Sequence, residues 1–530
     1  MTWQPGYALV LMLRIRFLLA AWFFTAGSCA QGWTGGPAAW VPARWEGGPL
    51  EVARRAGDPA LAKDPSLREA IAGWYDPATL ALLQNSPVNC LLVTFSAGAA
   101  RDIETRQHEL IQEYARRAKA RGLAVLGIVY PGAEPSAVAA AAREARLDGV
   151  VLDGEFPSEG YAGQLERALL SAGAGATVIP IAATASSVRT KPAPLLAVQG
   201  VRPSARNLAD MGIRAGASAE PWIESNIWLV RSFRLNRAGE RMIWINQAPK
   251  PSLVGDYIRC VADAAVAGGR WIVALDDGLR AGLFRKEPGA LATWRSIGTY
   301  LEFAENHSEW RSFVPYGQVA LVLDTAGETP DISEEYLNLV ARRHVPYRLV
   351  LRSELSPASL AGFQAVLAMD LDPPTPAERK TLRDFADQGG LVVAGPSWGD
   401  PPKDEPYAEL PVGKGRVVVY KDDPPDPAAV ARDMLDLLAP EVMGLSVFNV
   451  ASAISYVSTA DSGRRVLIQL LNYASVPANR VTIRFNGAFK TARLFTPESA
   501  PVDLAVRRTA NGRTEVVAPK LIAWGAVLLE

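Results

Sequence analysis

The sequence is short of the residues on which most metal and redox chemistry depends. Among its 530 residues there are three His and three Cys. A multi-histidine metal site is therefore sparsely supplied, and three Cys cannot build a disulfide framework. Charge of one sign is also missing, since 55 Lys and Arg balance 55 Asp and Glu. Binding to a phosphate backbone needs a clustered basic surplus, so nucleic acid is not an expected partner. A phosphate loop is absent too. The Gly413-Lys414-Gly415 run lacks its spacing, and Gly389-Gly390 reads as a helix stop. No cofactor and no metal are expected, and no internal repeat stands out.

What is present is an ordinary globular composition, 49% hydrophobic and 21% charged, in a chain too long for one core. About three domains of usual size are expected.

Residues 1–30 read as a signal peptide. Arg14 and Arg16 precede the apolar run from Phe17 to Ala26, and Ser28-Cys29-Ala30 fits a small-residue cleavage site. The run is shorter than the roughly 20 residues that span a bilayer. An uncleaved anchor is the competing reading, because apolar residues also lie between Tyr7 and Leu13. Lipid modification of Cys29 is a third, although Ala26-Gly27-Ser28 lacks the usual Leu. Export to the periplasm or the exterior is expected, with no stable membrane insertion after cleavage. Of the remaining cysteines, Cys90 falls in a strand-like run and Cys260 in a helix-like one; both read as buried free thiols, with a single disulfide between them as the alternative.

From residue 31 to 312, short apolar runs alternate with amphipathic stretches. Strands are expected at Pro49–Ala53, Asn89–Phe95, Ala124–Tyr130, Gly149–Glu155, Thr177–Ala183, Leu195–Val201, Met242–Asn246 and Trp271–Asp276. Continuous apolar strands separated by helices indicate a buried parallel sheet, and eight such units match a (β/α)8 barrel. A doubly wound open sheet is the main competitor. Residues 313–442 carry a second α/β series, with strands at Gln318–Asp324, Phe363–Met369, Leu391–Ala394 and Arg416–Tyr420. The Pro- and Gly-rich loop Gly395–Pro411 reads as a cap. From 443 to 530 the pattern turns to alternating strands with Asn and Gly turns, a small β-sandwich. The expected fold class is thus α/β: a TIM barrel, a flavodoxin-like α/β domain, and a C-terminal β-sandwich.

This domain order resembles multidomain β-galactosidases and related glycoside hydrolases, in which a barrel precedes an amidotransferase-like domain and a short β domain. The runs Arg465 to Tyr473, Leu494 to Glu498 and Val516 to Glu530 are similar to the β domains that close many of those enzymes. The resemblance implies a carbohydrate substrate; a homo-oligomer is left open. The run Asp148-Gly-Val-Val-Leu-Asp-Gly-Glu-Phe-Pro157 resembles the strand-four signature of chitinase-type enzymes. That resemblance implies Glu155 as general acid and Asp153 as the residue orienting the substrate. Val151 departs from it, since the family has Asp there.

Residues two apart on a strand share a face, so Asp153 and Glu155 are expected to point together into the mouth of the barrel. Two carboxylates there would repel and raise one pKa, as a general acid requires. The competing reading has Asp153 capping a helix and Glu155 solvated.

Asp276 and Asp277 close strand eight, where turn chemistry before Gly278 is an equal alternative. Glu220, beside Trp222 on the loop after strand six, is a further candidate carboxylate, though it also suits a helix N-terminus. Glu224 reads as a helix-end charge. Tyr130, Arg202, Asn246 and Gln247 at other strand ends are expected to contact sugar hydroxyls. A nucleophilic Glu at the end of strand seven, which the β-galactosidase-type barrel needs, is absent. A non-catalytic carbohydrate-binding protein on a degenerate barrel is therefore the alternative function. The second domain contains no Cys, which excludes a glutaminase thiol.

Overall fold

The computed structural model describes residues 36–156, 160–183, 193–206, 222–235, 241–250, 252–324, 330–369, 371, 373–422 and 425–530. Residues 1–30, read above as a signal peptide, and Glu220 lie outside them, as does the side chain of Trp222.

Eight parallel strands follow one another around the first domain. They are Pro42–Arg44, Cys90–Ser96, Ala124–Val129, Gly149–Leu152, Thr177–Ala182, Leu195–Gln199, Met242–Asn246 and Arg270–Trp271. The chain continues past Trp271 to close the ring. The backbone N–H of Arg44 donates to the Val273 carbonyl at 2.8 Å, and that of Val273 to the Pro42 carbonyl at 3.0 Å. All seven residues of the second strand are buried, because the barrel fills one face and the outer helices cover the other. Leu92, Leu126, Ile128, Val151, Ile179 and Trp244 share the interior cluster, so the barrel is a packed core with chemistry confined to its rims.

The first strand corrects the sequence expectation. Pro49–Ala53 lies in a helix, Gly48–Arg54, and the true strand is seven residues earlier at Pro42–Arg44. The helix follows ordinary rules: Pro at its start, Glu51 in its first turn, Arg54 in its last. Gly48, at φ +81°, lies against the Gln107 amide, where a Cβ would stand 2.4 Å from the side-chain oxygen. A three-residue strand containing Pro carries almost no periodicity.

The second domain is a six-stranded sheet. Its spatial order is 347–351, 319–323, 365–368, 391–394, 415–420 and 407–412, with all neighbours parallel except the last pair. Part of the expected cap loop is thus an edge strand, Tyr407–Val412. The C-terminal domain is a sandwich of a six-stranded and a four-stranded antiparallel sheet around its own core. Its larger sheet takes in Val314–Pro315, just after the barrel's last long helix, Pro288–Asn306. Against the barrel it is fixed by Tyr473, whose hydroxyl lies 2.6 Å from the buried Asp263 carboxylate and 3.0 Å from Ser225 Oγ.

Among the described residues no helix is long and apolar enough to cross a membrane. Cys90 and Cys260 are free and buried, and burial pushes the Cys260 thiol up to about 12.

Candidate functional site

A cleft of about 550 Å³ opens at the C-terminal end of the barrel strands. Its organising side chain is Arg44, at the end of the first strand. Arg44 Nε and Nη2 donate to Glu46 Oε2 and Oε1 at 3.1 and 2.8 Å. Nη2 also reaches Asp153 Oδ2 at 2.5 Å, and Nη1 reaches Asn246 Oδ1 at 2.9 Å. One guanidinium therefore ties together the ends of strands one, four and seven. The planar fork of Arg, with five donors, makes such a hub possible where Lys would not.

Glu46 is 4% exposed and receives further support. The Tyr130 hydroxyl donates to Oε1 at 2.7 Å, and Arg280 stands 3.8 Å from Oε2 while donating to the Glu46 carbonyl at 3.0 Å. Burial alone would favour the neutral acid. The charge and hydrogen bonds of Arg44, with help from Arg280 and Tyr130, outweigh it and hold the Glu46 carboxyl well below the usual carboxylate range. Burial, then the Glu46 charge, pushes the Tyr130 phenol up, so it stays a neutral donor. The Arg54 guanidinium lies over the Tyr130 ring, 4.3 Å from its centroid, and forks onto Glu51 at 2.8 and 3.1 Å. Thr94 Oγ1 also donates to Glu51.

Most mouth carboxylates are thus consumed by the protein itself. Glu46 and Glu51 are each gripped by an Arg, and Asp277 is held by Arg55 at 2.8 and 2.6 Å. Asp276 caps the helix Asp277–Phe284. One of its oxygens accepts from the Leu279 N–H at 3.0 Å, and the other from the Tyr257 hydroxyl. The turn reading therefore describes Asp276. Asp153 differs: its side chain is 21% exposed on the cleft, and among the described residues only Arg44 reaches its carboxylate, through Oδ2.

The placement of Glu155 is a correction. The fourth strand ends at Leu152, and Gly154 adopts φ +112°, a conformation that glycine tolerates and that ends the strand's alternation. Asp153 and Glu155 consequently do not share a strand face. Asp153 lines the cleft, while Glu155 is solvent-exposed on the loop beyond it and is not part of the lining.

The other expected contacts divide. Tyr130, Asn246, Asp276 and Asp277 line the cleft together. Asn246 also donates to Gln199 Oε1 at 2.8 Å. Gln247 is buried and spent locally, donating to the Val201 carbonyl at 2.8 Å and accepting from the Cys260 thiol at 3.3 Å. Arg202 is bonded to Ser252 and lies 6.0 Å from the Tyr257 ring centroid, outside the lining.

Arg44, Glu46, Glu51, Arg54, Arg55 and Arg280 went unread in the sequence. The signal for the first two was present: in Ala43-Arg44-Trp45-Glu46 the apolar and charged residues alternate, which places Arg44 and Glu46 on one face. No group of three or more His, Cys, Asp or Glu that could hold a metal occurs among the described residues.

No family model matches the sequence, and neither does any curated protein. Solved structures do match. The chain is similar to α-L-fucosidase isoenzyme 2 from Paenibacillus thiaminolyticus, with a TM-score of 0.55 and 12% identity over 85% of this chain and 95% of that one. It also matches the β-galactosidase from Bacillus circulans sp. alkalophilus, at TM-score 0.34 and 10% identity over 82% and 68% of the two chains. The likeness to the fucosidase is one of fold, and this chain's own fold is a (β/α)8 barrel followed by an α/β domain and a β-sandwich.

Proposed function

We propose that this protein is an exported glycoside hydrolase that binds a carbohydrate in the barrel mouth and cleaves a glycosidic bond there. One observation carries the reading. Asp153, at the end of the fourth strand, presents an oxygen to the cleft that no described residue engages, while Arg44 fixes its position through the other. A carboxylate positioned in this way suits attack on, or stabilisation of, an anomeric centre. The proton donor in this reading is Glu155 on the adjoining loop, which has to turn toward the bound substrate. Tyr130, Asn246 and the surrounding arginines supply hydroxyl contacts.

The test is a screen of chromogenic glycosides and oligosaccharides for hydrolysis, with binding measured by calorimetry. Glu155→Gln should lower turnover by about 10²–10⁴-fold, the usual contribution of general acid catalysis. Unchanged turnover in that variant removes Glu155 from the mechanism.

A second reading is supported by the arginine pairing of Glu46, Glu51 and Asp277, which leaves the described cleft without a second unengaged carboxylate. In that reading the mouth binds carbohydrate without cleaving it, and calorimetry would detect binding with no hydrolysis.

Export rests on residues 1–30 and is tested by fusing residues 1–35 to a reporter. Cleavage near Ala30 and appearance outside the cytoplasm are expected; retention in the cytoplasm contradicts it.

A further inference from the structure

A second cavity, of about 460 Å³, lies where the three domains meet and shares no lining residue with the mouth. Its barrel wall comes from the C-terminal ends of two outer helices, Ile227–Arg234 and Val254–Val266, which place it toward the N-terminal end of the barrel strands. The second domain contributes Arg348 and Phe363, the linker Phe313, and the β-sandwich Tyr456.

Four guanidinium groups line this cavity, and among the described residues three of them, Arg231, Arg234 and Arg348, are not paired with a carboxylate. Arg231 is 8% exposed. It donates from Nη2 to the Tyr347 carbonyl at 2.6 Å, and its guanidinium lies over the Tyr347 and Tyr456 rings at 3.8 and 5.1 Å. Among the described residues, Arg234 donates only to the carbonyls of Ala267 and Arg311, at 2.6 and 2.7 Å, and its buried Nε meets no acceptor there. Arg348 donates from Nε to the Gly317 carbonyl at 2.9 Å and lies 3.9 Å from the Phe363 ring centroid.

Buried Arg44, Arg270 and Arg280 all stand within ion-pair distance of a carboxylate. Arg311, also at this cavity, is held by Glu305 outside the lining, and the one acid in the lining, Glu354, is exposed. Gly268, at φ +91°, makes room for Arg234: a Cβ there would stand 1.9 Å from Nη1. Burying a cation without a counter-charge is unfavourable. Desolvation accordingly pulls the Arg234 and Arg348 guanidiniums below their ordinary pKa.

We propose that this interdomain cavity binds a small organic oxyanion, whose phosphate, sulfate or carboxylate head is held by Arg231, Arg234 and Arg348 and whose body rests on Phe313, Phe363 and Tyr456. Guanidinium forks match such heads in bidentate geometry, and the volume falls within the usual range of small-ligand pockets. The site is independent of the chemistry at the mouth.

The experiment is thermal unfolding and calorimetry of the full chain with inorganic phosphate, sulfate, glucose 6-phosphate, glucuronate and glucose, at ionic strength held constant with NaCl. At least one oxyanion should raise the melting temperature saturably while glucose does not, and the ranking of the anions identifies the head group. Arg348→Gln should weaken that binding at least tenfold. Arg231→Gln should do the same, and if it fails to fold, the half-buried Arg348 carries the comparison alone. The absence of a saturable response to every anion, an equal response to glucose, or unchanged affinity in Arg348→Gln would overturn the proposal.

Discussion

Arg44 and Asp153, 109 residues apart in the chain, meet at 2.5 Å across the mouth of the barrel. The contact joins the first strand to the fourth, and the same guanidinium engages Glu46 and Asn246, so the residues of the cleft are brought together by closure of the barrel.

Arg44→Met should therefore be costly. It leaves Glu46 buried with only Arg280 and Tyr130 to offset its charge, and breaking a buried pair from one side typically costs about 3–5 kcal/mol. Urea unfolding of the variant measures this. A loss below about 1 kcal/mol would mean that the network is not a structural hub.

Acid should weaken the junction between the barrel's last helix and the linker. Burial opposes ionisation of Glu305, but Arg270 and Arg311 outweigh it and hold its carboxyl down to about 2. A depressed folded pKa contributes stability that is fully present above the ordinary value near 4.5 and is lost as pH falls toward 2. Glu305→Gln should lower stability at neutral pH by on the order of 3 kcal/mol, and the deficit should shrink as pH approaches 2. A deficit that is constant with pH would place its cause elsewhere.

The C-terminal sandwich should behave as part of the structure. Asp263 is fully buried, and burial raises its pKa against the hydrogen bonds from Tyr473, Ser225 and Asn226 that favour the charged form. Tyr473→Phe removes one of those donors and should cost about 1–3 kcal/mol, read as a lower unfolding midpoint. Deleting residues 443–530 should reduce solubility and stability more than it alters any ligand preference. A truncated chain that folds well but no longer binds carbohydrate would contradict this assignment.

Much of this architecture is legible in the sequence because it is written in long apolar runs. Cys90–Ser96 and Met242–Asn246 announce buried strands, and the change to alternation after Met443 marks the sandwich. The first strand escapes because three residues beginning with Pro give no period, while the following Gly-Gly-Pro run masks a helix start. That single misplacement hid Arg44 and Glu46, and with them the hub of the cleft. Glu155 was misplaced for a different reason. Two-residue periodicity holds only while the strand lasts, and a glycine at positive φ after Asp153 ends it. The pairings of Arg44 with Glu46 and of Arg54 with Glu51 are local, but those of Arg55 with Asp277, Arg280 with Glu46 and Arg44 with Asp153 join segments far apart in the chain and follow only from barrel closure.

The central claim, that Asp153 acts on a bound glycoside, is tested most directly by comparing Asp153→Asn with the parent protein on the best substrate from the glycoside screen. Asparagine keeps an oxygen for Arg44 and so should leave the fold and carbohydrate binding largely unchanged. Turnover should fall at least 10²-fold with little change in KM. Full turnover in Asp153→Asn would contradict the account.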